Sequence, residues 1–165
     1  MIIDGANAWP HRRKAFVANV RALNPDLLGL QEVLPDQQTA MAEDLADEYA
    51  TLSAGRDDGK EKGEACSIFY RRSRFELLAN GTFWLSETPD VAGSKGWDAA
   101  LPRIATWARL KDIVAGREVL FVNTHFDHRG KLARLNAAKL LASRLSDLAQ
   151  GRPIILAGDF NATED

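Results

Sequence analysis

Pro153-Ile154-Ile155-Leu156-Ala157-Gly158-Asp159-Phe160-Asn161 is an apolar run that ends in an acid, an aromatic and an amide. Apolar residues without alternation predict a strand over 153–159 that is buried on both faces. A buried carboxylate is costly unless paired, so charge at the carboxyl end of such a strand needs a reason. Residues two apart on an extended chain share a side. Asp159 and Asn161 therefore face one spot, with Gly158 letting the backbone turn. An acceptor beside an amide donor suits a water or a phosphate oxygen. The same pair also fits plain turn chemistry.

Upstream, Leu132, Leu135, Ala138, Leu141, Ala142, Leu145 and Leu148 mark a helix over 131–149, stopped by Gly151. Before it, 103–111 and 117–126 read as strands joined by a tight turn at Ala115-Gly116. Residues 65–71 and 75–79 predict a hairpin through Arg72-Ser73, and 82–85 a further short strand. Residues 86–101 and the polar, Gly-rich 53–64 are loops. Near the start, Pro10 opens a helix over 10–23, with Phe16, Val17, Val20 and Leu23 on one face and Asn24-Pro25 as its stop. A strand over 26–32 and a helix over 35–48 follow, the helix burying Met41 and Leu45. Early helices, a block of strands and a helix before the last strand give layered α/β architecture with a mixed sheet.

The bulk numbers narrow the function. A length of 165 residues fits one domain, and 45% hydrophobic with 27% charged residues is enough for a sizeable core. A net charge of −2 offers no broad basic footprint for non-specific nucleic-acid binding, though a local basic cleft is compatible with it. The lone Cys66 forms no intrachain disulfide, and three histidines with one cysteine show no zinc spacing. No apolar run is long enough for a membrane span, and Met1-Ile2-Ile3-Asp4 is not a secretory signal, so the expected location is cytoplasmic. Oligomeric state is not legible.

Several polar residues sit where chemistry is expected. Glu32 closes its strand and, on period two, shares a side with Leu28 and Leu30. It is either solvated at the rim or holds a cation, and magnesium is satisfied by few carboxylate oxygens plus water and phosphate. Asn123, His125 and Asp127 line one side near a strand's carboxyl end, where open α/β sheets bind ligands. His125 is either a satisfied structural histidine or a donor to a phosphoryl oxygen. Arg103, after Pro102, is a candidate phosphate contact. Trp107 reads as packing, as do Trp9 and Trp84. His128, Arg129 and Arg134 form either a solvated helix start or a source of positive potential for an anion.

Four segments together resemble one family: 26–32 (DLLGLQE), 102–107 (PRIATW), 122–127 (VNTHFD) and 158–161 (GDFN). In this order they are similar to the endonuclease/exonuclease/phosphatase superfamily of metal-dependent phosphoesterases. Segments 4–10 (DGANAWP), 85–89 (LSETP) and 94–98 (SKGWD) point to its bacterial metal-dependent hydrolase branch, related to the eukaryotic deadenylase-like members. The resemblance implies a four-layer α/β sandwich, mixed sheets flanked by helices, with Mg2+ or Mn2+ as cofactor. It implies Glu32 as metal ligand, His125 on the scissile phosphate, Asp159 near the attacking water and Asn161 as an amide holding phosphate. Arg103 and Asn123 are the expected substrate contacts. The implied partner is a phosphate-ester substrate, nucleic acid or small phosphodiester.

The family pattern also has a first strand carrying a metal-site Asn and a final Ser-Asp-His triplet supplying the general base. Neither is found in these 165 residues. The chain therefore reads as an incomplete domain, about the first two thirds, with hydrolysis weakened by the missing base. Acid–base catalysis contributes ~10²–10⁴ in rate. The alternative is a non-catalytic fragment or binding module that keeps half of the site.

Overall fold

A computed structural model describes residues 5–162. Asp4, in one of the resemblance segments, lies outside them. After a 3-10 turn at Gly5–Asn7 the order is α1 (Trp9–Leu23), β1 (Leu27–Val33), α2 (Pro35–Asp44), β2 (Tyr49–Leu52) and β3 (Ala65–Arg71). Then come β4 (Phe75–Trp84), β5 (Ile104–Asp112), β6 (Arg117–His125), α3 (Lys131–Ala149) and β7 (Ile154–Asp159). The strands form two sheets, β1-β3-β2 and β4-β5-β6-β7. Every pairing is antiparallel except β6 with β7, so only the second sheet is mixed.

The layers follow from which apolar residues meet. Val17 and Val20 of α1 and Met41 of α2 pack with Val33, Tyr49 and Phe69 on the outer face of the first sheet. Ile68, Tyr70, Phe75, Ala108, Leu110 and Phe121 fill the space between the sheets. Ala137, Leu141 and Leu145 of α3 pack on Ala105, Leu120 and Val122 of the second sheet. The result is a four-layer α/β/β/α sandwich, two sheets flanked by helices.

Local chemistry sets the helix ends. Pro10 lies in the first turn of α1, and Asn24 takes a left-handed conformation (φ 49°) just before Pro25. The Gln37 side chain accepts the Leu34 N–H at 3.0 Å at the start of α2. Asp98, in the loop before β5, accepts the amides of Ala133 (2.6 Å) and Leu132 (3.3 Å) at the start of α3. The helix ends through left-handed Gln150 and Gly151.

Four expectations change. Residues 65–71 and 75–79 are not a hairpin, because β3 and β4 belong to different sheets and the Arg72–Arg74 turn carries the chain between them. The 82–85 segment is the end of β4, which continues through a register shift at Leu77/Ala79. The buried stripe of α3 is Ala133, Ala137, Leu141, Leu145 and Ala149, while Leu132 and Leu135 are exposed. Residues every fourth position share one face of the helix, and three of these five are small alanines. The final strand is not buried on both faces: β7 has one neighbour among the described residues, and Ile154, Ile155 and Leu156 are about two-fifths exposed. No described helix is long and apolar enough to cross a membrane.

Candidate functional site

Glu32 reaches the site through a break in its strand. The β1–β3 register shifts between Leu30 and Val33, and Glu32 itself has φ 57°. Such a left-handed residue in a bulge re-aims its side chain. Leu28 and Leu30 pack toward the helices, as alternation dictates. Glu32 instead stands exposed at the mouth of a narrow cleft that it lines with Arg56, Glu64, Cys66, Arg103 and His125. Among the described residues it makes no hydrogen bond or ion pair, so both oxygens are free.

His125 is placed by the parallel register that sets it level with Asp159 on β7. That approach needs Gly158 (φ 155°), since a Cβ there would overlap the Thr124 carbonyl. The His125 Nε2 lies 3.0 Å from the Asn161 Nδ2 and 3.7 Å from the Asp159 Oδ2. An amide nitrogen only donates, so Nε2 accepts and a neutral His125 carries its proton on Nδ1. Burial, and next the Arg103 charge, push the His125 pKa below its ordinary value, which favours that neutral form.

Asn161 also donates to the Phe126 carbonyl at 2.9 Å. Both of its N–H bonds are thereby engaged, so it is oriented toward the protein. The amide expected from sequence to hold phosphate thus lies against His125, and its Oδ1 has no partner among the described residues. Asp159 lies beside this pair, its side chain about half exposed, with Oδ1 accepting the Asn161 backbone N–H at 2.9 Å. Asp159 and Asn161 adjoin the cleft through His125 and are not among the residues that line it.

Arg103 is nearly buried, held through Nε by Asp127 at 3.4 Å and through Nη2 by the His128 Nδ1 at 2.9 Å. Its Nη1 has no protein partner among the described residues. Asp127 anchors the arrangement, accepting the amides of Arg129 (3.0 Å) and Gly130 (2.8 Å). Burial pushes its pKa up, but amide bonds from Gly130, Arg129, Ala100 and Leu101 outweigh that and hold it well below the usual carboxylate range.

Asn123 corrects the second expected substrate contact. It is fully buried; Nδ2 donates to the carbonyls of Leu30 (2.8 Å) and Ser67 (2.9 Å), and Oδ1 accepts from Gln31 (2.6 Å). Every polar atom is used on the first sheet, so Asn123 pins the two sheets together and has nothing left for a ligand. Gly29 makes room for it, since a Cβ there would press on the Asn123 amide. Trp97 is occupied too, packed against the α3-side core.

Sequence reasoning missed Arg56 and Glu64, which lay inside a stretch read only as polar loop. Their one signal is opposite charges bracketing a Gly-punctuated turn just before a strand. Cys66 lines the cleft without reactivity, because burial pushes its thiol up to about 12.

Among the described residues, the cleft suits a hard divalent cation at Glu32. Glu32 offers a free carboxylate beside solvent, a donor set that magnesium completes with water and phosphate oxygens. No group of three or more His, Cys, Asp or Glu among the described residues forms an all-protein cage.

Known proteins resemble this chain in sequence and fold. The model of the Endonuclease/Exonuclease/phosphatase family matches residues 3–165. A crystal structure of an endonuclease/exonuclease/phosphatase from Bacteroides vulgatus superposes with a TM-score of 0.95 at 42% identity, covering 98% of this chain and 61% of that one. A mannosyl-6-phosphatase of Bacteroides thetaiotaomicron gives a TM-score of 0.90 at 45% identity, over 94% of this chain and 58% of that one. Nocturnin of Drosophila melanogaster is 28% identical over 96% of this chain and 25% of its own length. The chain thus spans about a quarter of that curated relative and about three-fifths of the two bacterial structures.

Proposed function

As the chain belongs to the endonuclease/exonuclease/phosphatase family, we propose that it provides the catalytic cleft of a metal-assisted phosphoesterase. The observation behind this reading is the meeting of Glu32, Arg103 and His125 at one cleft, with Asp159 and Asn161 adjoining it. Glu32 would hold Mg2+ or Mn2+, which when bound supplies Lewis-acid polarisation of a phosphoryl oxygen. The Arg103 Nη1 takes a second phosphoryl oxygen and is held rigid for it by Asp127 and His128. Asn161 fixes the His125 ring at the cleft wall. Asp159, half exposed, would orient the water and accept its proton as the water oxygen bonds to phosphorus. The ester P–O bond breaks, and the departing oxygen is protonated from solvent.

A carboxylate is a weaker base than imidazole at neutral pH. Slow turnover is therefore expected of the residues assigned here. Likeness to a mannosyl-6-phosphatase at 45% identity favours a sugar-phosphate monoester as substrate. The test is release of nitrophenol from p-nitrophenyl phosphate and bis-p-nitrophenyl phosphate with magnesium or manganese. We expect metal-dependent turnover that Glu32→Gln abolishes. Turnover that survives Glu32→Gln unchanged would overturn the assignment of the metal ligand.

A further inference from the structure

We propose that Arg56 is a second phosphate-binding guanidinium, and that it makes the cleft selective for terminal phosphate monoesters over diesters. This deepens, and rests on, the phosphoesterase reading above.

The loop that carries Arg56 is built to hold it still. Gly55 and Ala65 form an isolated bridge, and the amides of Arg56 and Asp57 donate to the carbonyls of Glu64 (3.1 Å) and Lys62 (3.0 Å). Asp58 accepts the amides of Lys60 (2.8 Å) and Lys62 (3.0 Å) inside the turn. The Trp84 indole donates to the Arg56 carbonyl at 2.6 Å, tying the loop to β4 of the other sheet. Such a scaffold costs more than a connecting loop needs, because each bond fixes residues that are otherwise free.

The side chain it positions is underused by the protein. Arg56 is largely buried and lines the same cleft as Glu32, Arg103 and His125. Its Nη1 pairs with Glu64, while Nε is buried without a hydrogen bond, the Asp57 Oδ1 lying 4.0 Å away. No hydrogen bond to its Nη2 occurs among the described residues. A buried guanidinium with donors to spare is what a planar, multi-oxygen anion would complete. Glu64 holds the fork in place, much as Asp127 does for Arg103.

Charge decides the substrate class. A phosphate monoester carries between one and a half and two negative charges near neutral pH, with its second pKa at about 6, and presents three terminal oxygens. A diester carries one charge and two such oxygens. One guanidinium beside a cation suffices for the diester; two match the monoester.

The experiment is calorimetric titration of the chain, with magnesium present, using inorganic phosphate and dimethyl phosphate as probes. Arg56→Gln should weaken phosphate binding about tenfold or more and dimethyl phosphate less than about threefold. Arg56→Lys, which keeps the charge and loses the planar fork, should fall between wild type and Arg56→Gln for phosphate. It serves as the deciding variant if Arg56→Gln melts early. Equal losses for both probes, or none, would overturn the monoester role while leaving the phosphoesterase reading intact, provided that Glu32→Gln still weakens both. Wild-type protein that binds neither probe would overturn both.

Discussion

β6 and β7 lie side by side, run parallel, and have the same texture: an apolar run followed by polar residues at the carboxyl end. Their fates differ. β6 sits between β5 and β7, and Leu120 and Val122 are wholly buried. β7 has a single neighbour among the described residues, and Ile154, Ile155 and Leu156 are 41%, 44% and 39% exposed. The polar ends diverge in the same way. Asn123 and Asp127 of the β6 segment are buried with their hydrogen bonds made, so they serve structure. Asp159 at the end of β7 is half exposed, and its Oδ2 makes no hydrogen bond among the described residues, as the proposed role in hydrolysis requires. An apolar run states what a strand tolerates; its neighbours decide what it buries, and hence which polar end is free to act.

Substitutions can break this contrast. Asp127→Ala strips Arg103 of its buried partner and leaves several amides bare, so it should cost about 3–5 kcal/mol in urea unfolding. Asp159→Ala should stay within about 0.5 kcal/mol while impairing hydrolysis. Equal destabilisation by the two would erase the distinction between a structural and a chemical acid. Leu120→Ala should cost about 3 kcal/mol and Ile155→Ala only about 1, because Leu120 is wholly buried while Ile155 remains 44% exposed. Asn123→Ala should cost about 2 kcal/mol by orphaning groups on the first sheet, with little change in phosphate affinity. A large affinity loss without destabilisation would restore Asn123 as a ligand contact.

Acid pH gives the gentlest probe. The folded pKa of Asp127 is depressed, so its contribution is complete above the unfolded value of about 3.9 and is lost as pH falls toward the folded value. His125 is also depressed, and its contribution starts to fade as pH drops below about 6.5. Melting temperature should therefore decline slightly from pH 7 to 5 and more steeply below 4. Asp127→Asn should flatten the lower part of that curve.

Much of the fold was legible because it is written in periodicity. The spans of α1 and α3 and the β5–β6 pair were readable from apolar spacing, proline and glycine. The sheet membership of β3 and β4 was not, since a three-residue turn serves a hairpin or a crossing between sheets equally well. β2 escaped because Tyr49–Leu52 is too short for a pattern. At the site, residue types in order pointed to Glu32, His125 and Asp159; alternation put Glu32 beside Leu30, with which it borders a helix-side hollow, but did not bring it to the cleft as well. Only the left-handed bulge re-aims it. Asn123 was misjudged because a polar residue facing inward on a strand looks the same in sequence whether it meets a ligand or the backbone of another sheet. Arg56 was invisible because its place in the cleft depends on a loop tied to Trp84.

The account stands on Glu32, Arg103 and His125 lining one cation-assisted phosphate position, with Asp159 adjoining it through His125. Paramagnetic broadening by substoichiometric manganese, read on the assigned amide and side-chain resonances, tests this most directly. The prediction is selective broadening around Glu32, His125 and Arg103, reaching Asp159 and Asn161, and abolished in Glu32→Gln. Broadening centred elsewhere, or unchanged in Glu32→Gln, would contradict it.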